Sequence, residues 1–412
     1  MSRIETLIAD LCPQGVPICP LGEVGAFIRG RRFTKADIVH EGLPSIHYGE
    51  IYTHYGVAAS HALTHVRRDL APTLRFAETG DVIIAAVGET VEDVGKSMAW
   101  LGADCVAVHD DCFIFRSPLD PKYVAYFTQS AAFNKPKEPY VARAKVKRLS
   151  SSGIAKLRIP VPPIEVQREI VRILDHYTIL KSQLEVELNA ELAARRKQYG
   201  FVVDQVITGI DAEREMLRDL GSWRGGLTPS KSEQRYWESG TIPWLASMDV
   251  SEFEGRVIRG RVTPVALVET SLRVVPPPSV IVVMRSNILR RRLPVGMTVV
   301  ETTVNQDVKA LSPRDGIDPG YVFQVLRATS EQIRAACVRV DGSMAAVDSK
   351  VFLDWSIPIP TLQQQKRIAS QLSAIESAVD ELGIRLSAEL AARRKQYEYY
   401  RDRLLTFEEA SA

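Results

Sequence analysis

The sequence lacks the features that mark membrane, secreted and disulfide-bonded proteins. No apolar run approaches the roughly 18–20 residues that a membrane-spanning helix needs. The amphipathic start, MSRIETLIADLC, lacks the basic-then-apolar layout of a signal peptide. The five cysteines contain no CxxC pair, which disfavours a disulfide framework and a zinc site. We therefore expect a cytoplasmic protein that does not associate with a membrane.

The sequence also lacks a recognisable active-site motif. The tripeptide GKS at 95–97 matches the end of a phosphate-binding Walker A loop, but Thr90 stands where that loop requires glycine. His61 and His65 have the spacing of metal ligands on a helix, but no Glu follows His61 and no third ligand is apparent. Amino-methyltransferase, nuclease and helicase motifs are missing. We expect a binding protein with no catalytic residue and no metal site.

What the sequence does contain is a tandem duplication with an offset of 198 residues. ELAARRKQY occurs at 191–199 and again at 389–397, and 18 of the 41 positions in 159–199 are identical to those 198 residues later. The segments 120–124 and 318–322 share four of five residues. Each half is thus a divergent domain followed by a near-identical element. The predicted boundaries are 1–157 for the first domain, with an N-terminal helix at 1–11, 158–205 for the first repeated element, 206–355 for the second domain, and 356–412 for the second repeated element.

The repeated elements have the pattern of long amphipathic helices. Apolar residues recur in steps of three or four after each Ile-Pro-x-Pro segment, as in the seam of a coiled coil. We predict helices of about 36 residues, or ~54 Å, with Gly200 ending the first as a C-cap. Pairing of the two copies by two-fold symmetry predicts an antiparallel pair, and the alternative is two helices packed separately on their own domains. The predicted seam is Ile170, Ile173, Tyr177, Leu180, Leu184, Leu188 and Leu192 in the first copy, and Ile368, Leu372, Ile375, Val379, Leu382, Leu386 and Leu390 in the second.

The divergent domains alternate short β-rich runs with Gly, Pro and Asp turns and short helical patterns. The runs at 81–87 and 280–284 are examples. This predicts an α+β protein in which two α/β domains are separated by two long antiparallel coiled-coil helices, with an internal pseudo-two-fold duplication.

Polar loops rich in Arg, His and aromatic residues are the candidate binding surfaces. These loops also carry side chains of the types that read base edges in the major groove (Arg, Asn, Gln, Ser, Thr and Glu) or hold phosphates (Lys and Arg). A net charge of +2 neither demands nor excludes nucleic acid. A single basic loop is more often merely solvated, but two such domains on a long spacer suit a DNA target in two separated halves. In the first domain the predicted DNA contacts are Arg29, Arg31, Arg32, Thr34, His47, Tyr48, Glu50, Tyr52, His54, Tyr55, Arg143, Lys145 and Lys147. In the second they are Thr228, Ser230, Lys231, Ser247, Asp249, Arg285, Asn287, Arg290, Arg291, Arg292 and Ser343.

These features together resemble a specificity subunit of the type I restriction-modification enzymes, over essentially the whole chain. The resemblance rests on the duplicated Ile-Pro-x-Pro and Gln-x-x-Ile helix starts and on the target-recognition segments FTK (33–35), IHYGEIYT (46–53), TPSK (228–231), IPW (242–244) and NQD (305–307). It implies that each domain reads a few base pairs of double-stranded DNA and that the paired helices set the unread spacer.

The resemblance also implies partners. The helices would dock two methyltransferase subunits that carry S-adenosylmethionine, and restriction subunits would add ATP- and Mg-dependent translocation and cleavage. This chain itself would bind no cofactor. Two alternatives stay open: a non-enzymatic coiled-coil interaction scaffold, and a specificity subunit of another methylation-based defence system.

Overall fold

The computed structural model describes residues 3–142, 146–340 and 343–410. The chain divides into two compact units, Met1–Glu187 with Ala388–Ala412, and Leu188–Ser387. Both dividing points lie inside long helices, so each unit combines one divergent domain with part of each helix.

The helices are, in chain order, α1 (Arg3–Leu11), α2 (Leu21–Val24), α3 (Tyr48–Thr53), α4 (Pro121–Phe127), α5 (Ala131–Lys137), α6 (Ser151–Ala155), α7 (Ile164–Thr208), α8 (Ser247–Phe253), α9 (Pro264–Glu269), α10 (Pro319–Ala328), α11 (Ser330–Cys337), α12 (Ser349–Leu353) and α13 (Leu362–Leu404). Short 3-10 helices lie at Lys35–Asp37, Arg68–Thr73, Glu138–Tyr140, Leu217–Asp219, Gln234–Tyr236 and Asn287–Arg290.

The strands of the first unit are β1 (Ile18–Pro20), β2 (Ala26–Arg29), β3 (Ile38–Val39), β4 (Leu43–Ile46), β5 (Ala58–Ala59), β6 (Thr64–Val66), β7 (Phe76–Ala77), β8 (Val82–Ala85), β9 (Val87–Gly88), β10 (Ser97–Trp100), β11 (Val106–Val108), β12 (Cys112–Arg116), β13 (Val141–Ala142), β14 (Lys147–Leu149) and β15 (Arg158–Pro160). Those of the second are β16 (Arg214–Met216), β17 (Gly221–Gly225), β18 (Ile242–Leu245), β19 (Gly260–Val262), β20 (Val280–Val283), β21 (Val295–Met297), β22 (Thr303–Val304), β23 (Val308–Pro313), β24 (Val338–Arg339), β25 (Ala346–Val347) and β26 (Ser356–Pro358).

The two divergent domains share a common core topology, to which the first domain adds further strands. The strand order β2-β12-β8-β10 of the first recurs as β17-β23-β20-β21 in the second, antiparallel throughout. In each domain a second sheet contains a parallel pair, β4 with β11 and β18 with β22. The predicted α+β class and internal duplication are therefore confirmed, and the duplication extends into domains whose sequences have diverged.

The central strands β8 and β20 are buried on both faces. Alternate residues of a strand point to opposite faces of the sheet, so Val82 and Ile84 pack in one apolar cluster while Ile83 packs in another. In β20, Val280 and Ile281 divide between two clusters in the same way. This double burial explains why both strands read as uninterrupted apolar runs rather than as alternating ones.

A buried glutamine connects each divergent domain to its long helix. In the first unit, Oε1 of Gln167 accepts the N–H of Asp120 (2.9 Å), and its Nε2 donates to the carbonyl of Pro162 (2.7 Å). The hydroxyl of Tyr123 donates to the carbonyl of Pro160 (3.1 Å). The sequence identities upstream of the helix are the residues that make this connection.

The second unit repeats the connection. Gln365 accepts the N–H of Asp318 (2.8 Å) and donates to the carbonyls of Pro360 (2.8 Å) and Gly316 (3.1 Å). The hydroxyl of Tyr321 donates to the carbonyl of Pro358 (2.6 Å).

The long helices contact each other in antiparallel order within each unit. In the first unit, Thr178 lies 3.2 Å from the hydroxyl of Tyr397, and Glu185 pairs with Arg394 at 2.9 Å. Positions later in α7 thus meet positions earlier in α13. In the second unit, a methyl of Leu192 lies 3.5 Å from the Cβ position of Gly383. The predicted antiparallel arrangement is confirmed in each unit.

The predicted seam is only partly buried. Ile170 and Leu372 are fully covered, whereas Tyr177 and Leu180 remain 40% and 46% exposed. The pair of helices therefore leaves apolar surface uncovered along its length.

The prediction that Gly200 ends the first helix is wrong. α7 continues to Thr208 and has 45 residues, and α13 has 43. Glycine inside a helix costs about 1 kcal/mol relative to alanine, but Val203 and Ile207 beyond it are buried in the core of the second domain. Burial of each such side chain contributes roughly 1.5–3 kcal/mol, so the helix continues through the glycine.

All five cysteines are free, as expected. Within the described residues, every helix is too short or too polar to cross a membrane.

The buried glutamine gives a stability prediction. Gln365→Ala removes the partner of the Asp318 N–H and of two carbonyls, and each buried polar group left unsatisfied costs about 1–3 kcal/mol. We expect a loss of about 2–4 kcal/mol in the free energy of unfolding, measured by urea denaturation. The control Gln371→Ala, at an exposed position of the same helix, should change stability by less than about 0.5 kcal/mol. Equal effects of the two substitutions would contradict the role of Gln365.

Candidate nucleic-acid interface

In both divergent domains a loop crosses the parallel strand pair, and a glycine lies at the point of closest approach. After β2, the N–H of Arg31 donates to the carbonyl of Val108 (2.9 Å), and after β17, the N–H of Leu227 donates to the carbonyl of Val304 (3.0 Å). A Cβ on Gly30 would lie 2.1 Å from the carbonyl oxygen of His109, and one on Gly226 would lie 1.7 Å from that of Val304. Only glycine allows this approach. The loops 30–35 and 226–231 are therefore structural equivalents.

In the first domain the loop and helix α3 face each other across a cleft of about 290 Å³. The cleft brings together predicted residues from separate segments, since its lining includes Thr34, His47, Glu50 and His54. Arg31 and Arg32 are exposed, and within the described parts of the chain their side chains have no hydrogen-bond or ion-pair partner. Their guanidinium groups are therefore available to an external anion or base edge.

A cluster of imidazole and phenyl rings packs at the base of the loop 30–35. The ring of His109 lies 4.5 Å from that of His47 and 4.8 Å, edge-on, from that of Phe33. Nδ1 of His109 accepts the N–H of Asp111 (3.2 Å), so Nε2 carries the hydrogen and donates to the carbonyl of Phe33 (3.0 Å). His109 thereby anchors the main chain of the loop.

Burial lowers the pKa of His47 below its usual range. The neighbouring His109 lowers this pKa further, against the opposing charges of Asp111 and Asp110. The neutral imidazole stabilises the start of α3, because its Nδ1 accepts the N–H of Gly49 (3.3 Å).

His109, Asp110 and Asp111 also form a group whose ligand atoms lie within 4.8 Å of one another. Nδ1 of His109 already accepts a hydrogen bond from the Asp111 N–H. Oδ1 of Asp111 forms an ion pair with the guanidinium of Arg148 at 3.4 Å. These contacts match the structural role that the strand-turn position suggests, and we propose no metal here.

Two predicted DNA-contact carboxylates serve local structure. Oε2 of Glu50 accepts the N–H of His47 (2.9 Å), and Oδ2 of Asp249 accepts the N–H of Ala246 (3.0 Å), so each caps the helix that contains it. Asp249 is 3% exposed, and its other oxygen accepts a hydrogen bond from Nε of Arg259 (2.9 Å). With both oxygens used, Asp249 is a poor candidate for reading DNA. The proposed interface does not include Asp249.

In the second domain a polar network joins the loop to the arginine segment. Thr228 donates to Oε1 of Gln306 (2.5 Å), the amide of Gln306 donates to Asp307 (3.4 Å), and Arg285 donates to Asp307 (2.8 Å). The predicted residues Thr228 and Arg285, 57 positions apart in sequence, are thus held by one set of contacts. Gln306 and Asp307 were absent from the predicted contacts, although the NQD segment had pointed to them.

Two tryptophans flank the second loop. Lys231, Trp237 and Trp244 line an open cleft of about 550 Å³, and the indole rings meet edge-on at 5.1 Å. The tryptophan N–H groups donate to the carbonyls of Ser230 and Leu227, each at 3.0 Å. Sequence reasoning noted Trp244 only as part of a motif and missed Trp237. Their spacing from the loop could not reveal which carbonyls they reach.

The other predicted residues are placed as follows. Exposed at the surface are Arg29, Asn287, Arg290, Arg291, Arg292 and Ser343, while Tyr48, Tyr52, Tyr55, Lys147, Ser247 and Thr228 are half-buried. Arg29 donates to the carbonyl of Asp110 (2.9 Å), Arg292 to that of Ser251, and the Tyr55 hydroxyl accepts the N–H of Leu63 (2.8 Å). Arg143 and Lys145 lie outside the described residues.

Comparison with known proteins identifies the family. The family model for the type I restriction modification DNA specificity domain matches residues 15–194 and again residues 211–391. The chain is 35% identical over 295 residues to the EcoR124I/EcoR124II type I restriction enzyme specificity subunit of Escherichia coli, covering 69% of this chain and 70% of that protein. It is 26% identical over 176 residues to the MjaIX specificity subunit of Methanocaldococcus jannaschii, covering 41% and 39%.

Solved structures show the same fold. A chain from a structure of a type I R-M system superposes with a TM-score of 0.77 at 17% identity, over 95% of this chain and 98% of that chain. The HsdS subunit of Thermoanaerobacter tengcongensis superposes with a TM-score of 0.60 at 16% identity, over 96% and 97%. The fold is thus that of a two-domain specificity subunit. The chain belongs to the type I restriction-modification DNA specificity family, and the resemblance inferred from its motifs is confirmed.

The lowered pKa of His47 predicts an acid-sensitive first domain. The unfolded state binds a proton near pH 6.5 while the folded state resists it, so the contribution of His47 is present above that pH and is lost as the pH falls. His47→Asn keeps an acceptor for the helix start without a titrating ring. We expect the midpoint of urea unfolding to fall less between pH 7 and pH 5 in this variant than in the native chain. The control His54→Asn removes an exposed imidazole, and it should keep the native pH profile.

Proposed function

We propose that this chain reads a bipartite double-stranded DNA site and directs adenine methylation and cleavage by partner subunits. The first half-site would be read by the loop 30–35 with helix α3. The second would be read by the loop 226–231 with the arginine segment 285–292. The observation that carries this proposal is the structural equivalence of two loops whose side chains differ.

The side-chain difference suits two unlike half-sites. The first loop presents the exposed residues Arg31 and Arg32, and arginine pairs bidentately with guanine in the major groove. The second presents Ser230 and Lys231, which offer a hydroxyl and a single cationic group. Equivalent backbones with different donors would place different readers in equivalent positions.

The long helices would fix the spacer and dock two methyltransferase subunits. In the first unit, α7 and α13 leave an open groove of about 660 Å³, whose lining includes the exposed rings of Tyr177 and Tyr400, stacked with centroids 6.1 Å apart. In the second unit, the exposed apolar residues Phe201 and Ile384 lie on the same two helices. Uncovered apolar surface of this kind is typical of protein interfaces, and a duplicated surface suits two identical partners.

We propose that this chain performs no chemistry itself. Its candidate acids and bases have structural partners: His109 anchors a loop, and Glu50 and Asp249 cap helices. S-adenosylmethionine would be bound by the methyltransferase subunits, and ATP and Mg by the restriction subunits, in the cytoplasm.

The half-site assignment is tested with Arg31→Ala. Removing one base-reading or phosphate-binding arginine should weaken binding by about 1–3 kcal/mol. We expect this loss, and reduced discrimination, at the first half-site only. The measurement is competition binding by the chain with its methyltransferase subunits, using DNA in which either half-site is scrambled. The control Arg168→Ala removes an exposed arginine of α7 and should bind as the native chain does.

Equal loss of discrimination at both half-sites would contradict this assignment. Salt dependence distinguishes DNA reading from the scaffold alternative, because displacement of counterions from several phosphates makes affinity fall steeply with salt. Affinity that hardly changes between 50 and 200 mM salt would favour the scaffold.

The spacer role is tested by inserting four residues within 189–192. Four residues add about one helical turn and ~6 Å. At ~3.4 Å per base pair along each strand, the preferred spacer should grow by about one or two base pairs, as measured by selection from DNA with randomised spacing. The same insertion in the exposed turn 299–301 is the control. An unchanged spacer in the helix variant would rule out this role.

A further inference from the structure

The loop 226–231 of the second domain is held by more main-chain contacts than its polar sequence would suggest. The Trp244 indole donates to the carbonyl of Leu227, and the Trp237 indole donates to that of Ser230, each at 3.0 Å. The N–H of Leu227 is bound to the carbonyl of Val304. Pro229 lies between the two anchored carbonyls, where its ring fixes one further backbone angle.

The two anchors are themselves rigid. Trp244 belongs to β18, the central strand of its sheet, and its ring lies where a Cβ on Gly260 would approach it to 2.7 Å. Trp237 meets Trp244 edge-on, and both pack on the apolar cluster around Tyr236. Each ring is therefore fixed by packing, and its N–H points to one carbonyl.

We propose that Trp237 and Trp244 are positioning residues for DNA reading by the second domain. Their indole N–H groups hold the main chain of the loop 226–231 in one conformation, so that Thr228, Ser230 and Lys231 reach the DNA from fixed positions. This inference rests on the proposed function. A site whose parts are preorganised loses less conformational entropy on binding and discriminates more sharply between partners.

The first domain achieves the same result with a different donor. Nε2 of His109 donates to the carbonyl of Phe33 in the middle of the equivalent loop. Both loops are thus anchored through ring N–H groups, by imidazole in one domain and by indole in the other, although at different positions along the loop.

The test replaces indole by phenyl. Trp237→Phe and Trp244→Phe keep an aromatic ring and remove the N–H donor. The matched control is Trp223→Phe, because Trp223 lies in the same domain and donates to the carbonyl of Leu217 (2.6 Å), away from the loop. The chain, assembled with its methyltransferase subunits, is used to select sites from a randomised DNA pool, and melting temperatures are recorded for all variants.

Loss of one neutral hydrogen bond predicts a three- to tenfold fall, to order of magnitude, in discrimination at the second half-site. The first half-site and the control variant should be unaffected. Lys231→Ala gives a second measurement. If Trp237 acts through the loop, Trp237→Phe should add little to the effect of Lys231→Ala, whereas a general loss of stability would add fully.

Native discrimination in both loop variants would overturn the inference, and so would equal losses at the two half-sites or in the Trp223→Phe control. Full additivity with Lys231→Ala would also overturn it. A native complex that selects no DNA sequence would refute the proposed function itself, which distinguishes that failure from failure of the positioning role.

Discussion

The buried glutamine at the start of each long helix is the contact on which the rest of the structure depends. Gln167 joins the start of α4 to the Ile-Pro-x-Pro segment through two hydrogen bonds, and Gln365 does the same for α10. The side-chain amide has one acceptor and two donor hydrogens, so a single residue satisfies main-chain groups from both elements. Apolar replacements would leave these groups buried without partners.

This connection explains where the two halves of the chain remain alike. Asp120 and Tyr123 contribute to it in the first unit, and Asp318 and Tyr321 in the second. The same joint between domain and helix is built twice, and it requires the same residues each time. Surfaces away from the joint are free to differ, which is where the loops 30–35 and 226–231 lie.

Much of the fold can be predicted from the sequence, because it depends on a sequence repeat and on the periodic spacing of apolar residues. The offset of 198 residues predicts the duplication, and steps of three and four predict the paired helices. Gly200 shows the limit of this reasoning. A local signal for a helix end is outweighed by Val203 and Ile207, whose burial depends on a domain that the local sequence does not describe.

The candidate site was less predictable, because residue type does not reveal the partner of a polar group. Arg31 and Asp249 both suit DNA contact by type, yet one is exposed without a partner in the described chain and the other is buried with both oxygens used. Conversely, His109 and Trp237 acquire their roles only from the carbonyls that the fold brings to them.

The anchoring contacts also explain how each loop can change its side chains while keeping its own backbone path. A ring N–H that binds a main-chain carbonyl places no demand on the side chain of the residue it holds. Phe33 and Ser230 are both held in this way. Exposed side chains of each loop can therefore change without moving its main chain, provided that Gly30 and Gly226 keep the close approach to the neighbouring strand. Under the proposed function, fixed main-chain geometry and variable side chains would together allow one fold to serve two different half-sites.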